Sequence, residues 1–343
     1  MTGAPQRRRP TISDIARLAG VSKGAVSYAL NNRPGVSDTT RARVLRIADE
    51  LGWIPSSTAR ALSGSRADTV GLVLSRSPSS LGIDTFFMDF LAGLQAELGP
   101  RGVALLLQLV DDHEAATDVY RRWWQGRRVD GVLVMDLFDV DARIPALRDI
   151  GLPALVVGGP DGVDGLDCLW SDDEQAMADA VRYLAGLGHR RIARVAGPAG
   201  MHHTTARTAS FHATAKALDV ADRWVVHADD ELGGDVTRTL LTADVRPTAV
   251  VYDTNVMAVA GLGVATELGL RVPADVSLLA WDDSALCRLT HPPLSAMWRD
   301  VPGFGAQAGR LLLGVIDGEP ARTISGPVAT LAVRASTGPP PAP

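Results

Sequence analysis

From Thr69 onward the sequence sets eight short apolar runs in two successive groups of four, separated for the most part by amphipathic stretches. The first group is 70–74, 103–110, 131–135 and 154–157; the second is 192–196, 224–227, 249–252 and 276–280. The amphipathic stretches include 86–98, 115–124, 174–187, 207–218, 233–241 and 255–268. Strands that are apolar throughout must be covered on both faces, and helices between consecutive strands supply that cover through parallel crossovers. The pattern predicts two similar doubly wound α/β subdomains, and such sheets bind ligands beyond the carboxyl ends of their strands. A hydrophobic content of 46% against 21% charged residues is enough for cores of this size and excludes a disordered chain.

The formal charge of −5 hides a division along the chain. Residues 1–68 hold 11 Lys and Arg against 5 Asp and Glu, whereas the remainder holds 23 against 34. A small basic head on a large acidic body is the asymmetry of a nucleic-acid-binding domain joined to something else. Within the head, Thr11 and Asp14 have capping-box spacing, and Ile12, Ile15, Ala16 and Ala19 follow at helical spacing. Gly20 closes that helix and Ser22 caps a second, which buries Val26 and Leu30 and exposes Lys23, Gly24, Ser27 and Tyr28. Ser37 caps a third helix with Val44, Ile47, Ala48 and Leu51 inward, and Gly52 ends it. Three short helices with a tight turn between the first two form a helix-turn-helix. Residues 56–64 then read as a helix of about eight residues, too short to be stable alone in water.

Other classes are poorly served by this sequence. Cys168 and Cys287 form neither a disulfide framework nor a metal-ligand spacing, and His202, His203 and His212 lack a partner ligand set, so no metal or cofactor is expected. No apolar segment follows Arg7, Arg8 and Arg9, and no run is long enough to span a membrane, so the chain reads as soluble and cytoplasmic. No nucleophile elbow, Walker loop or GxGxxG follows a strand, which argues against an enzyme.

The residues after the strands are those of a polar cleft. Ser75-Arg76 follows the first strand, Asp136 the third and Gly158-Gly159 the fourth; Asp253-Thr254-Asn255 and Trp281-Asp282-Asp283 end later ones. Carboxylates accept hydroxyl hydrogens, Arg and Asn donate, and an indole face covers the apolar side of a sugar ring. Asp172-Asp173 and Asp282-Asp283 have the look of catalytic carboxylate pairs, but adjacent residues rarely face one substrate, and Trp123-Trp124 reads as a helix packed on the sheet.

The run Thr11-Ile12-Ser13-Asp14-Ile15-Ala16 through Ala19-Gly20-Val21-Ser22, with Val26-Ser27, Leu30-Asn31 and Gly52-Trp53-Ile54-Pro55, resembles the head of the lactose repressor (LacI-type) family. The resemblance continues through Gly188-His189-Arg190-Arg191-Ile192, Ala196-Gly197-Pro198, Val272-Pro273-Ala274-Asp275-Val276-Ser277 and Trp281-Asp282-Asp283, and covers about 11–337. It implies an all-α helix-turn-helix head plus hinge helix, joined to a periplasmic-binding-protein-like body of two doubly wound parallel-sheet subdomains. The implied division is an arm 1–10, a head 11–55, a hinge helix and linker 56–68, a body 69–337 and a tail 338–343. Inside the body, one subdomain would take about 69–168 and 294–326, the other about 169–291 and 327–337.

The resemblance also implies roles. The second helix would enter the major groove of operator DNA, with Lys23, Gly24 and Tyr28 at base-reading positions and Thr11, Ser22, Ser27 and Asn31 on the backbone. Tyr28 departs from the Arg often found there. Ala59 and Leu62 would belong to a hinge helix whose Leu62 wedges into the minor groove. The partners would be double-stranded operator DNA, a second copy of the chain and a sugar-like effector, with no membrane. Candidate effector contacts are Ser75, Arg76, Phe87, Asp136, Arg207, Asp253, Asn255, Trp281 and Asp282. Arg207 and Asp282 fall on the family's effector arginine and cleft aspartate. The usual Asn-Asp pair is displaced, so Asn255 or Asp253 takes its role, and Gly158-Gly159 stands where some members carry Asp.

Overall fold

The computed structural model describes residues 10–53, 66–76, 85–163, 165–221, 224–228 and 232–342. The chain divides into two units, Met1–Ser65 and Arg66–Pro343. Ala59 and Leu62, with most of the expected hinge, lie outside the described residues.

The first unit contains α1 (Ile12–Ala19), α2 (Lys23–Leu30) and α3 (Asp38–Glu50). Each begins where a short hydroxyl side chain can take an unpaired amide. The Thr11 hydroxyl accepts from the Asp14 amide at 3.4 Å, and the Asp14 carboxylate accepts from the Thr11 amide at 2.9 Å. Ser22 caps α2 through the Ala25 amide (3.1 Å), and Ser37 caps α3 through the Thr40 amide (3.4 Å). Gly20 ends α1 in the left-handed region, φ 66°, where glycine carries no Cβ penalty. Ile15, Ala19, Val26, Ala29, Val44 and Ile47 meet in one small core. Ala29, three residues after Val26, takes the inner position expected of Leu30, which is only half-buried at the rim.

The second unit holds two six-stranded sheets. The first combines β1 (Thr69–Ser75), β2 (Ala104–Val110), β3 (Gly131–Val134), β4 (Ala154–Val157), β5 (Asp167–Trp170) and β11 (Thr323–Ser325) in the order β11-β5-β4-β3-β1-β2, all parallel. The second combines β6 (Ile192–Ala196), β7 (Val225–His227), β8 (Ala249–Tyr252), β9 (Ser277–Trp281), β10 (Ser295–Trp298) and β12 (Thr330–Ala332) in the order β12-β10-β9-β8-β6-β7. Only the β10–β12 pair is antiparallel. Each sheet carries a buried apolar cluster on either face, as strands without polar alternation require. In both, the chain reverses its direction of winding between the first and third strands, so a ligand site is expected outside β1/β3 and outside β6/β8.

Helices α4 (Thr85–Leu98), α5 (His113–Gln125) and α6 (Arg143–Ile150) cover the first sheet; α7 (Asp173–Gly186), α8 (His202–Ala217), α9 (Gly234–Thr242), α10 (Asn255–Glu267) and α11 (Ala285–Leu289) belong with the second. Helix α12 (Val301–Ile316) returns to the first sheet and packs on α4. That contact is backbone to backbone. A Cβ on Gly305 would stand 2.1 Å from the Phe90 carbonyl oxygen, and one on Gly93 would stand 1.8 Å from that of Pro302.

The chain thus passes between the lobes three times: after β5, after β10, and between β11 and β12. The second passage corrects the expected boundary at 294, because β10 completes the second sheet through Trp298. The first lies after Trp170 and not after 168, since β5 still pairs with β4 and β11. The expected tail is also tied down at its start. Gly338 donates its amide to the Ser277 hydroxyl (3.1 Å), and its carbonyl lies 2.9 Å from Nε2 of the fully buried His189. Among the described residues, no helix is long and apolar enough to cross a membrane.

Candidate DNA-reading helix and ligand cleft

Helix α2 turns Val26 and Ala29 to the core, which leaves Lys23, Gly24 and Tyr28 on its outer face. The first two are exposed and Tyr28 is 45% exposed, large for an aromatic residue unless it has something to meet. Ser22 is exposed at the amino end of α2, where unpaired amides and the helix dipole favour an anion such as a phosphate. Ser27 is half-buried, and its carbonyl accepts from the Asn31 side-chain amide at 2.9 Å. Behind this face Arg41 reaches across from α3. It donates to the carbonyls of Ala29 (3.1 Å) and Arg33 (2.9 Å), fixing the end of α2 and the turn after it.

In the second unit, the carboxyl ends of both sheets face a cavity of about 720 Å³. Its size lies in the upper part of the roughly 300–1,000 Å³ range of small-molecule sites. Ser75 ends β1, Arg76 follows it and Asp136 follows β3, so the switch point of the first sheet supplies all three. Arg76 grips Asp136 with two nitrogens, at 2.7 and 3.0 Å, and lies 4.5 Å above the ring of Phe87 on α4. From the second sheet come Gly197 after β6, Asp253 after β8 and Asp282 after β9. Arg207 on α8 joins Asp173 at the start of α7 at 2.8 Å, and Arg299 joins Asp282 at 3.2 Å. Asn255 opens α10 and donates to the Thr85 hydroxyl and the Asp282 carbonyl, both at 2.9 Å. That bond links the two lobes across the cavity.

Asp136 and Asp282 share a backbone conformation found mainly in glycine, φ 53° and 61°. Each such residue carries strain of order 1–3 kcal/mol, which persists where surrounding structure enforces it and which concentrates at functional sites. Burial opposes the charges of Asp136, Asp173 and Asp253. The guanidinium groups of Arg76, Arg207 and Arg194 outweigh it and hold all three carboxyls below the usual range. His203 behaves oppositely. Burial first, and then the charge of Arg207, push it down to about 4, so it is neutral at ordinary pH.

Residues 11–56 match the family described as bacterial regulatory proteins, lacI family, and residues 181–337 match the periplasmic binding protein-like domain. The HTH-type transcriptional regulator CelR of Thermobifida fusca is 32% identical over 323 residues, spanning 92% of this chain and 94% of that protein. The HTH-type transcriptional regulator AglR of Rhizobium meliloti is 33% identical, spanning 96% and 95%. The chain belongs to the lacI family. Two solved structures agree with this regulator fold. A lac repressor dimer bound to operator and the anti-inducer ONPF superimposes with a TM-score of 0.82 at 25% identity, covering 96% of this chain and all of that one. A CelR–cellobiose complex gives 0.71 at 30% identity over 96% of this chain and all of the other.

This LacI-family regulator brings Ser75, Arg76, Phe87, Asp136, Arg207, Asp253, Asn255 and Asp282 to one cavity, as expected. Trp281 is a correction. Strand β9 runs one residue further than its apolar run suggested, so the indole points inward, is fully buried, and does not line the cavity. The Arg207 guanidinium lies 4.1 Å over that ring, so Trp281 supports a cleft residue from behind. Asp253 lines the cavity too, but its carboxylate is engaged at 2.7 Å by Arg194 and accepts the Gly197 amide at 2.9 Å. Between the two candidates, Asn255 is the one with an uncommitted atom, because its Oδ1 is buried with no hydrogen-bond partner.

Asp173 and Arg299 were missed. Asp173 reads locally as a companion to the cap Asp172, which does hold the Gln175 amide at 2.8 Å; its link to Arg207 spans 34 residues and leaves no local signal. The Gly158-Gly159 departure has a steric cause. A Cβ at 159 would stand 1.9 Å from Nε2 of His202, which fills the place a side chain would need.

Proposed function

We propose that this LacI-family regulator is a repressor of carbohydrate-uptake or catabolic genes, binding a palindromic operator as a homodimer under the control of a small sugar-like molecule in the cleft. The observation that carries the effector half is the cavity itself: large, ringed by carboxylate, guanidinium and amide groups, and closed by elements of both lobes. The relative solved with cellobiose and the lac repressor dimer solved on operator support the same reading.

Lys23, Gly24 and Tyr28 face base edges, with Lys23 contributing roughly 1–3 kcal/mol of discrimination at a guanine. Thr11, Ser22, Ser27 and Asn31 hold phosphates and set register. Ala59 and Leu62 belong to a hinge helix that forms on DNA, with Leu62 entering the minor groove. Two-fold pairing puts the half-sites near one helical turn apart, roughly 34–36 Å. Ser75, Arg76, Phe87, Asp136, Arg207, Asn255 and Asp282 contact the effector, and Asp253 and Trp281 brace them. Ligand binding changes the angle between the lobes and so the spacing of the paired hinges; coupling of about 1–3 kcal/mol shifts operator affinity up to ~150-fold. The cleft works by binding and not by turnover. Its buried carboxylates are held ionised against arginine, which suits hydrogen-bond acceptance and disfavours general-acid chemistry.

Operator selection from random duplexes, repeated with a panel of sugars and sugar phosphates, tests this. A recovered palindrome whose binding one saccharide changes is the expected outcome. A palindrome that responds only to a ligand of another class would overturn the sugar assignment and leave DNA binding intact.

A further inference from the structure

We infer that the cleft is built for an uncharged, hydroxyl-rich ligand and excludes phosphorylated or otherwise anionic ones. This rests on reading the cleft as the effector site, and it concerns which carbohydrates that site accepts.

Charge is the first barrier to an anion. Among the described residues, seven carboxylates line the cavity against three guanidinium groups, and one of the seven, Asp253, is already paired with Arg194 behind it. Each of the three already faces a carboxylate: Arg76 on Asp136 at 2.7 Å, Arg207 on Asp173 at 2.8 Å, and Arg299 on Asp282 at 3.2 Å. Arg76, Arg207 and Asp173 are largely buried in these pairs, so a phosphate could win one only by leaving a carboxylate uncompensated in a poorly solvated place. His203 adds no positive charge at neutral pH.

Hydrogen-bond polarity is a second barrier, separate from net charge. Among the described cavity residues, two acceptor atoms, Asp173 Oδ1 and Asn255 Oδ1, and one donor, Arg299 Nε, are buried without a hydrogen-bond partner. The orientation of the Asn255 amide is fixed, since its other end faces the Asp282 carbonyl, which can only accept. A buried polar atom without a partner is expensive to maintain, and of these three the two acceptors call for a donor. Sugar hydroxyls donate. A phosphate monoester near neutral pH carries about −1.5 to −2 charge and presents chiefly acceptor oxygens, the wrong polarity for both positions.

The test uses the full-length protein on its selected operator, so that DNA binding reports a folded head and body. Titration calorimetry and operator release are measured with cellobiose, maltose and trehalose and with the 6-phosphate of each. Where a neutral disaccharide binds, its phosphate is expected to bind at least about a hundredfold more weakly, the scale of several kcal/mol for like charges brought together. The double variant Asp172→Asn, Glu174→Gln, which removes two lining carboxylates outside the three pairs, is expected to narrow that ratio about tenfold. A phosphate that binds as tightly as its parent sugar would overturn the inference while leaving the sugar reading in place. If a nucleobase binds and no saccharide does in either form, the sugar reading fails and the inference falls with it.

Discussion

In each lobe an arginine and an aspartate meet at the switch point of the sheet. Arg76 and Asp136 do so outside β1 and β3, and Arg194 and Asp253 between β6 and the end of β8. The two pairs have the same 2.7 Å separation and different surroundings. The side chains of Arg76 and Asp136 are 23% and 13% exposed, whereas those of Arg194 and Asp253 are 0% and 2% exposed. Arg194 is further sealed by the Thr208 hydroxyl and the Thr204 carbonyl, and Asp253 by the Gly197 amide. Similar pairs near the two switch points are thus placed differently, one with Arg76 just past its strand and open to the cavity, the other with Arg194 inside β6 and closed off. The second lobe acts as the rigid template of the cleft, and the first offers a pair that a ligand can engage.

The comparison is most exposed at Asp253. Asp253→Ala leaves Arg194 charged and buried without its partner, and the expected loss is about 3–5 kcal/mol in urea denaturation. A loss below 1 kcal/mol would remove the distinction between bracing and contact. The first lobe should show its own weak point elsewhere, where two helices touch through glycine. Gly93→Ala forces a Cβ to within 1.8 Å of the Pro302 carbonyl oxygen, and about 1–3 kcal/mol of destabilisation is expected from the helix shift that follows.

A smaller effect separates the lobes by pH. His203, in the second lobe, titrates at about 4 when folded and at its ordinary 6.5 when unfolded. Its contribution is therefore complete above 6.5 and is lost as pH falls from there towards 4, because only the unfolded chain takes up the proton in that window. Thermal midpoints should decline over that range in the parent protein and less in His203→Gln; equal slopes would show that His203 is not held neutral by the fold. Arg76→Gln should cost less stability than Asp253→Ala, about 1–3 kcal/mol for an aspartate left largely buried without its partner. Its ligand response should fall far more than its stability, and a response equal to that of the parent would take Arg76 out of the contact set.

Much of this architecture was legible because it repeats simple local rules. The three helix caps at Thr11, Ser22 and Ser37 and the eight apolar runs are short-range patterns, and all eight runs are strands. Strands β5, β10, β11 and β12 escaped notice, being three or four residues long and mixing polar with apolar residues. Helix α12 escaped for another reason. Gly303, Gly305, Gly309 and Gly314 make its sequence a poor helix, yet Gly305 is what permits the close approach to α4. The cleft was legible to the extent that strand ends are fixed by strands. Arg76, Asp136 and Asp282 follow from that alone. Trp281 did not, because a strand longer by one residue sends the side chain to the opposite face. Arg207 was identified, but its partner Asp173 belongs to a helix start in another part of the chain.

The three passages between lobes also govern how the molecule can be made. The first sheet acquires its outer strand only from 323–325, and α4 meets the partner that covers it only from 301–316. A ribosome emitting this chain releases β1 to β5 long before either piece exists. The Phe87, Phe90 and Leu94 face of α4, which in the finished protein packs with Phe304, Ala308 and Leu311, must wait without that cover while β6 to β10 of the second lobe emerge. The first lobe to be synthesised is therefore closed only after most of the second has emerged, and the second in turn waits for its own edge strand at 330–332; until then the chain is open to aggregation or to capture by a chaperone.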